Sequence, residues 1–380
     1  MNLSLTDRIN RIEPSGTVQL TAILQDLRHR GVDVIDMAVG EPDFAVHPAI
    51  VTATSKALAK GLTRYGPVGG LPELRLRIAD DFEGCAANNI IVTNGAKQAL
   101  YMLFQVLCEK GAEVIIPAPC WVSFSHQVKL AGGRPMLVPT RDHQLDIVAI
   151  EKAIGPQTVA VLINSPNNPT GAVYPPAVIE AVGQVCREKG IWLISDEAYR
   201  TFDLDRDDGF SPFHIGSLRE RLIVVRSFSK TYGMTGFRVG YALAPAPVIE
   251  ALSRLQSHLS GNVCTFAQHG ALAALDLPEE IIEAQRRRYA QQRNRAFELA
   301  GALFDCRRPS GAFYLLPNIE RYAARFPSGI AMAAWLLEKA QVAVVPGEHF
   351  FAPGHLRISF AVDGKLMEKG FQRMREVLTS

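Results

Sequence analysis

Short runs of branched aliphatic residues recur along this chain, and each gives way abruptly to polar turn-formers. Val159–Ile163 runs into Asn164-Ser165-Pro166-Asn167-Asn168-Pro169-Thr170-Gly171, Ile191–Ile194 into Ser195-Asp196-Glu197-Ala198-Tyr199, and Leu222–Val225 into a stretch from Ser227 to Arg238. Runs this apolar, without polar alternation, read as strands of a parallel sheet covered on both faces. A helical pattern near Ala177–Lys189 separates the first two runs. Strand–helix–strand connections keep strands parallel, so the three runs end on one edge of the sheet. That topology brings together an amide (Asn168), an acid (Asp196) and an amine (Lys230). The carboxyl edge of an open α/β sheet is where such folds place their chemistry.

The stretch after the third strand, Ser227-Phe228-Ser229-Lys230-Thr231-Tyr232-Gly233-Met234-Thr235-Gly236-Phe237-Arg238, carries two hydroxyls, a guanidinium and two glycines. Hydroxyls, a guanidinium and close backbone approach suit a phosphate group and leave Lys230 free to act as an amine. Together they suggest a lysine that forms a Schiff base with a phosphorylated aldehyde cofactor. A surface lysine in a glycine-rich loop has the same local signature, so the reading rests on what gathers around it. Ile90–Thr93 is another strand, and Leu100, Leu103, Phe104 and Leu107 follow at helical spacing. Gly95 and Ala96 therefore stand at a helix N-terminus, which favours an anion, although most helices begin without one. Trp121 follows the strand Val114–Ile116 and could stack on a planar ring or be plain core. Asp196 is expected to be buried, which is costly unless a cation or donor meets it; capping a helix or pairing with an arginine would also satisfy it.

Composition narrows the partners. A net charge of +2 over 380 residues offers no electrostatic argument for nucleic acid or an anionic membrane. No apolar run is long enough to span a bilayer, and the first residues carry no secretory h-region. The six cysteines lack CxxC spacing and the nine histidines lack an HExxH pair, which argues against a disulfide framework and a metal site. A cytoplasmic protein is the expectation. The run Gln285–Arg295, rich in arginine, reads as a solvated helix face. A large sheet domain over residues 46–275 is expected, with residues 1–45 and 276–380 folding together as a smaller domain. Ala273–Leu303 reads as one long helix, and Val342–Val345 as one strand.

The blocks Gly40-Glu41-Pro42-Asp43-Phe44, Tyr65-Gly66, Asn94-Gly95-Ala96-Lys97-Gln98-Ala99-Leu100, Asn167-Asn168-Pro169-Thr170-Gly171, Asp196-Glu197-Ala198-Tyr199, Ser227-Phe228-Ser229-Lys230 and Arg357 occur in order from about Arg11 to Leu378. In this the chain resembles the class I/II pyridoxal-phosphate-dependent aminotransferases of fold type I, in their bacterial aspartate-aminotransferase-like branch. The resemblance implies an α/β fold, with a mostly parallel central sheet flanked by helices and a smaller α+β domain built from both termini. It implies pyridoxal 5'-phosphate as cofactor and transfer of an amino group from an amino acid to a 2-oxo acid.

By the same resemblance, Lys230 bonds the cofactor and then moves the proton, while Asp196 faces the pyridine nitrogen. Asn168 and Tyr199 meet the phenolic oxygen and Trp121 stacks on the ring. Gly95, Ala96, Lys97, Ser227, Ser229 and Arg238 hold the phosphate. Tyr65 reaches the phosphate of a partner subunit, which implies a homodimer with shared sites. Arg357 takes the substrate α-carboxylate beside Gly40 and Asn168. Glu13 stands where many relatives carry a lysine near the substrate side chain, and an acid there disfavours a second substrate carboxylate. Two other readings share the motifs: a β-lyase on the same fold, and a non-catalytic sensing domain of the kind fused to transcription regulators.

Overall fold

The computed structural model describes residues 6–10, 12–14, 16–206 and 209–379. Its centre is a seven-stranded sheet: β1 (Ile90–Thr93), β2 (Glu113–Ala118), β3 (Arg134–Pro139), β4 (Thr158–Asn164), β5 (Trp192–Asp196), β6 (Leu222–Ser227) and β7 (Gly240–Leu243). The spatial order is β1-β7-β6-β5-β4-β2-β3. Every pair from β6 to β3 is parallel, while β7 lies antiparallel between β6 and β1. Being antiparallel to both neighbours, β7 leaves β1 running the same way as the rest. The carboxyl ends of β1, β2, β4, β5 and β6 therefore share one edge.

The unbroken apolar runs follow from the layers. In β4, Val161 and Ile163 enter one core while Ala160 and Leu162 enter the other. Leu222 and Val224 of β6 likewise oppose Ile223 and Val225. Alternate side chains point to opposite faces of a strand, and helices cover both faces, so each position must be apolar. Proline opens several covering helices, including Pro48–Ala59, Pro72–Ala79 and Pro176–Glu188. Its missing N–H costs nothing at a first turn.

A third core lies apart from these two. Ile35 and Met37 pack there with Tyr289, Phe313, Tyr314, Leu356, Ile358 and Phe371, so the chain's beginning and its last hundred residues share one apolar cluster. Ile35–Asp36 pairs in parallel with Val342–Ala343. A three-stranded antiparallel sheet places Leu356–Ser359 between Val345–Pro346 and Tyr314–Leu315.

Two expectations are corrected. The segment read as one helix from Ala273 to Leu303 is two, Thr265–Leu275 and Glu279–Gly301. Pro278 sits at the second N-cap, and a proline ring excludes continuous helix there. The strand expected over Val342–Val345 is split between two sheets, as Val342–Ala343 and Val345–Pro346. Among the described residues no helix is long and apolar enough to cross a membrane.

Candidate active site

A cleft of about 770 Å³ opens at the carboxyl edge of the sheet, where the third core meets it. Gly40, Ala96, Lys97, Trp121, Asn168, Asp196, Tyr199, Ser227, Ser229, Lys230, Arg238 and Arg357 all line it. Of the residues singled out from sequence, Gly95, Tyr65 and Glu13 do not.

Lys230 lies in the single helical turn Phe228–Thr231, directly after β6. Its Nζ donates to the Gly40 carbonyl at 2.6 Å. Burial lowers its pKa to about 8, with Arg238, Arg357 and Lys97 adding repulsion and Glu41 opposing it. A fraction of the amine is therefore neutral, and nucleophilic, near neutral pH.

Asp196 ends β5 and is buried. The Ala198 N–H donates to its Oδ1 at 3.0 Å, yet burial still pushes its pKa up to about 7. No arginine or lysine pairs with this carboxylate among the described residues, so the acid waits for a cation. Asn164 ties the neighbouring strand end to it, donating from Nδ2 to the Asp196 carbonyl at 3.1 Å and accepting the Asn168 N–H on Oδ1 at 3.0 Å. That tie carries Asn168 to the cleft wall.

Arg357, on the middle strand of the small sheet, is buried with no carboxylate partner among the described residues. Its guanidinium donates to the Asn168 Oδ1 at 3.1 Å and to the Ala38 carbonyl at 2.6 Å, while its Nε has no partner. The charge lies over the rings of Tyr314 at 4.3 Å and Phe350 at 4.8 Å. A desolvated guanidinium held only by neutral acceptors and ring faces is poised for a carboxylate.

The opposite need is met around the helix Ala96–Leu107. Gly95 is its N-cap, with φ 78° and ψ 167°, a conformation that is essentially glycine's alone. A Cβ there would lie 2.6 Å from an Arg238 nitrogen. Glycine thus lets Arg238 close over the helix N-terminus. The Ser227 hydroxyl accepts the Ser229 N–H at 3.1 Å. Burial and the nearby Arg238 both lower the Lys97 pKa, and its Nζ lies 4.8 Å above the Trp121 ring. A helix N-terminus, two hydroxyls and the Arg238 guanidinium make a cradle for a doubly charged anion. A phosphate fits it.

Tyr65 is 98 % exposed. Glu13 is exposed and lines a separate groove of about 510 Å³ with Tyr101 and His126, behind Lys97 and Arg238. The expectation that Glu13 borders the substrate side chain finds no support in this placement. Sequence reasoning also passed over Tyr314, which lines the cleft and whose hydroxyl lies 2.8 Å from that of Tyr199. No motif marked it.

An amine, an acid and an amide on one sheet edge, with a buried guanidinium on the amide and an anion cradle in the same cleft, suit an enzyme that exchanges amino groups on a phosphorylated aromatic cofactor. The comparisons agree. The family model described as aminotransferase class I and II matches residues 32–374. A probable aspartate/prephenate aminotransferase of Aquifex aeolicus is 37 % identical over 391 residues, covering 100 % of this chain and 99 % of that protein. The aspartate/prephenate aminotransferase of Thermus thermophilus is 39 % identical, covering 98 % of each. A solved structure of Thermus thermophilus aspartate aminotransferase with maleate superposes with a TM-score of 0.94 at 38 % identity, covering 98 % of this chain and 99 % of that one. The chain belongs to the class I and II aminotransferases. It is a pyridoxal-phosphate-dependent enzyme of fold type I that transfers amino groups.

Proposed function

We propose that this enzyme takes a dicarboxylic amino acid of the aspartate type as donor, with the α-carboxylate on Arg357 and the second carboxylate drawn to Lys97. The observation that carries this reading is that both cations line one cleft and neither has a carboxylate partner among the described residues. Glu13, the residue that argued against a second carboxylate, lies outside that cleft. Arg134, on the edge strand β3, is paired with Glu113 at 3.3 Å and does not line that cleft. The relatives reported above carry aspartate in their names, and the Thermus thermophilus structure was solved with maleate, itself a dicarboxylate.

When bound, pyridoxal phosphate supplies the aldehyde carbon and the electron-withdrawing ring on which an amino group can be exchanged. The backbone at Gly95, Ala96 and Lys97, with Ser227, Ser229 and Arg238, would hold its phosphate. Asp196 would hold a proton on the pyridine nitrogen, which would give the buried carboxylate the cation it lacks. Asn168 and Tyr199 would donate to the phenolic oxygen, and Trp121 would cover the ring. Lys230 provides the amine that bonds the aldehyde carbon. Once released from that bond, its Nζ would be placed to hold and move the proton of the substrate α-carbon. Its lowered pKa suits both roles. The Gly40 carbonyl orients that nitrogen.

The active unit is a homodimer in the cytoplasm, with Tyr65 completing the partner's phosphate site; its near-total exposure in the single chain supports this. Residues 46–275 form the larger domain, and residues 1–45 with 276–380 the smaller. Its burial of Ile35 and Met37 against the C-terminal part supports that division.

The test is a half-reaction titration of the loaded enzyme, without 2-oxo acid, following the visible absorbance. Aspartate and glutamate should convert it more efficiently than neutral amino acids, and Lys97→Ala should remove that advantage. Neutral donors converting it more efficiently than both would overturn the dicarboxylate reading. Pyruvate and ammonia formed without an acceptor, while the colour persists, would indicate elimination instead.

A further inference from the structure

Tyr314 joins two halves of the site that arrive from different parts of the chain. It sits on the strand Tyr314–Leu315, next to the strand of Arg357, with Ser359 opposite it in register. The side chain is fully buried, yet it lines the cleft. Its hydroxyl lies 2.8 Å from the Tyr199 hydroxyl, and Arg357 rests on its ring face at 4.3 Å. A Cβ on Gly40 would stand 3.6 Å from the same hydroxyl, so the backbone that accepts from Lys230 packs against it. Burial raises the pKa of both phenols, that of Tyr199 well above its ordinary value, so each keeps its proton. The charged groups facing the pair are Arg357, Asp196 and Glu41.

The proton count decides which hydroxyl donates. Each phenol has one O–H to give. If Tyr199 is to donate into the cleft, it cannot also donate to Tyr314, so the proton between them must belong to Tyr314. We propose that Tyr314 is a positioning residue of this site: its hydroxyl donates to Tyr199, turning the Tyr199 proton toward the cofactor's phenolic oxygen, while its ring supports the Arg357 guanidinium from below. This rests on the roles given above to Tyr199 and Arg357. Accepting a hydrogen bond makes Tyr199 the stronger donor, because chained hydrogen bonds polarise one another. One residue thus couples the grip on the substrate carboxylate to the electronics of the cofactor.

The experiment is a pH titration of the visible absorbance of the loaded enzyme for the parent, Tyr199→Phe, Tyr314→Phe and the double variant, with Tyr314→Leu for steady-state kinetics. Donation to the phenolic oxygen competes for the proton that this oxygen shares with the Lys230 nitrogen. Losing the donation lets that proton be held to higher pH. Tyr199→Phe should therefore move the titration upward. Tyr314→Phe should move it the same way by about 10–30 % as much, the usual size of hydrogen-bond cooperativity. The double variant should match Tyr199→Phe alone.

Tyr314→Phe keeps the ring under Arg357, so the donor KM should hold. Tyr314→Leu removes it and should raise that KM about two- to thirtyfold. A titration moved by Tyr199→Phe but not by Tyr314→Phe overturns the hydroxyl role and leaves the reading of Tyr199 intact. A double variant displaced by the sum of the two shifts overturns it too, since Tyr314 would then act independently. No shift in Tyr199→Phe refutes the assignment of Tyr199 itself. Equal KM values for Tyr314→Phe and Tyr314→Leu overturn the support of Arg357.

Discussion

Removing the Glu197 carboxylate should destabilise the protein far more than an ordinary core truncation, and removing its partner as well should undo most of the damage. Glu197 follows Asp196 at the end of β5. Its side chain is 2 % exposed and pairs with Arg226 of β6, itself 10 % exposed, at 2.8 Å. The same carboxylate accepts from the Ser211 hydroxyl at 2.6 Å and the Ser195 hydroxyl at 3.2 Å. The Arg226 guanidinium lies 4.5 Å above the Phe82 ring. Glu197→Ala leaves that guanidinium buried without a carboxylate, with Tyr241 as a remaining neighbour, and strips the acceptor from two serines.

Breaking one side of a buried pair costs about 3–5 kcal/mol, and stranded hydroxyls push toward the upper end. That is a large fraction of the roughly 5–15 kcal/mol that keeps a domain folded. Glu197→Ala with Arg226→Met removes both charges and fills the stem volume, and such exchanges are often neutral. The assay is urea unfolding of the cofactor-free chain, at fixed protein concentration, for parent, both single variants and the double. Glu197→Ala should lose about 3–5 kcal/mol, and the double variant should recover most of it. A loss below about 1 kcal/mol would place the pair among weak surface-like bridges and refute the reasoning. So would a double variant no better than the single. Because the pair joins the strand ends that carry Asp196 and Ser227, Glu197→Ala should also weaken cofactor retention in proportion to the stability lost.

Lys230→Ala should abolish turnover and the visible absorbance of the loaded enzyme together; appreciable residual transamination would show that another amine does the work. The rate at which cofactor-free enzyme takes up pyridoxal phosphate should climb with pH through about 8, where the neutral Lys230 amine appears. A climb centred near 10.5 would mean that burial does not depress it. Gly95→Ala forces a side chain into a glycine-only conformation against Arg238, a strain of about 1–3 kcal/mol. Cofactor affinity measured by fluorescence quenching should fall about tenfold or more, and an unchanged affinity would contradict the cradle.

Much of the sheet edge was legible in the residues. Asp196, Asn168 and Lys230 each follow an apolar run, and a strand buried on both faces must be apolar throughout, so its end is sharp in sequence. Gly95 and Ala96 were legible because a helix announces its start by the periodicity behind it. The antiparallel β7 was not, because four residues after a glycine-rich turn carry no mark of direction. The break at Pro278 was visible as a residue, but the arginine-rich periodicity beyond it ran the two helices together.

What only the tertiary structure decided are the pairings across long separations. Tyr199 meets Tyr314 across 115 positions, and Arg357 meets Asn168 across 189. Local propensity says nothing about such contacts, since they come from packing the C-terminal core onto the sheet. The same packing left Glu13 outside the cleft and Lys97 within it. Sequence determined which chemical groups stand at the strand ends; the fold determined which of them touch, and so which protons and charges they share.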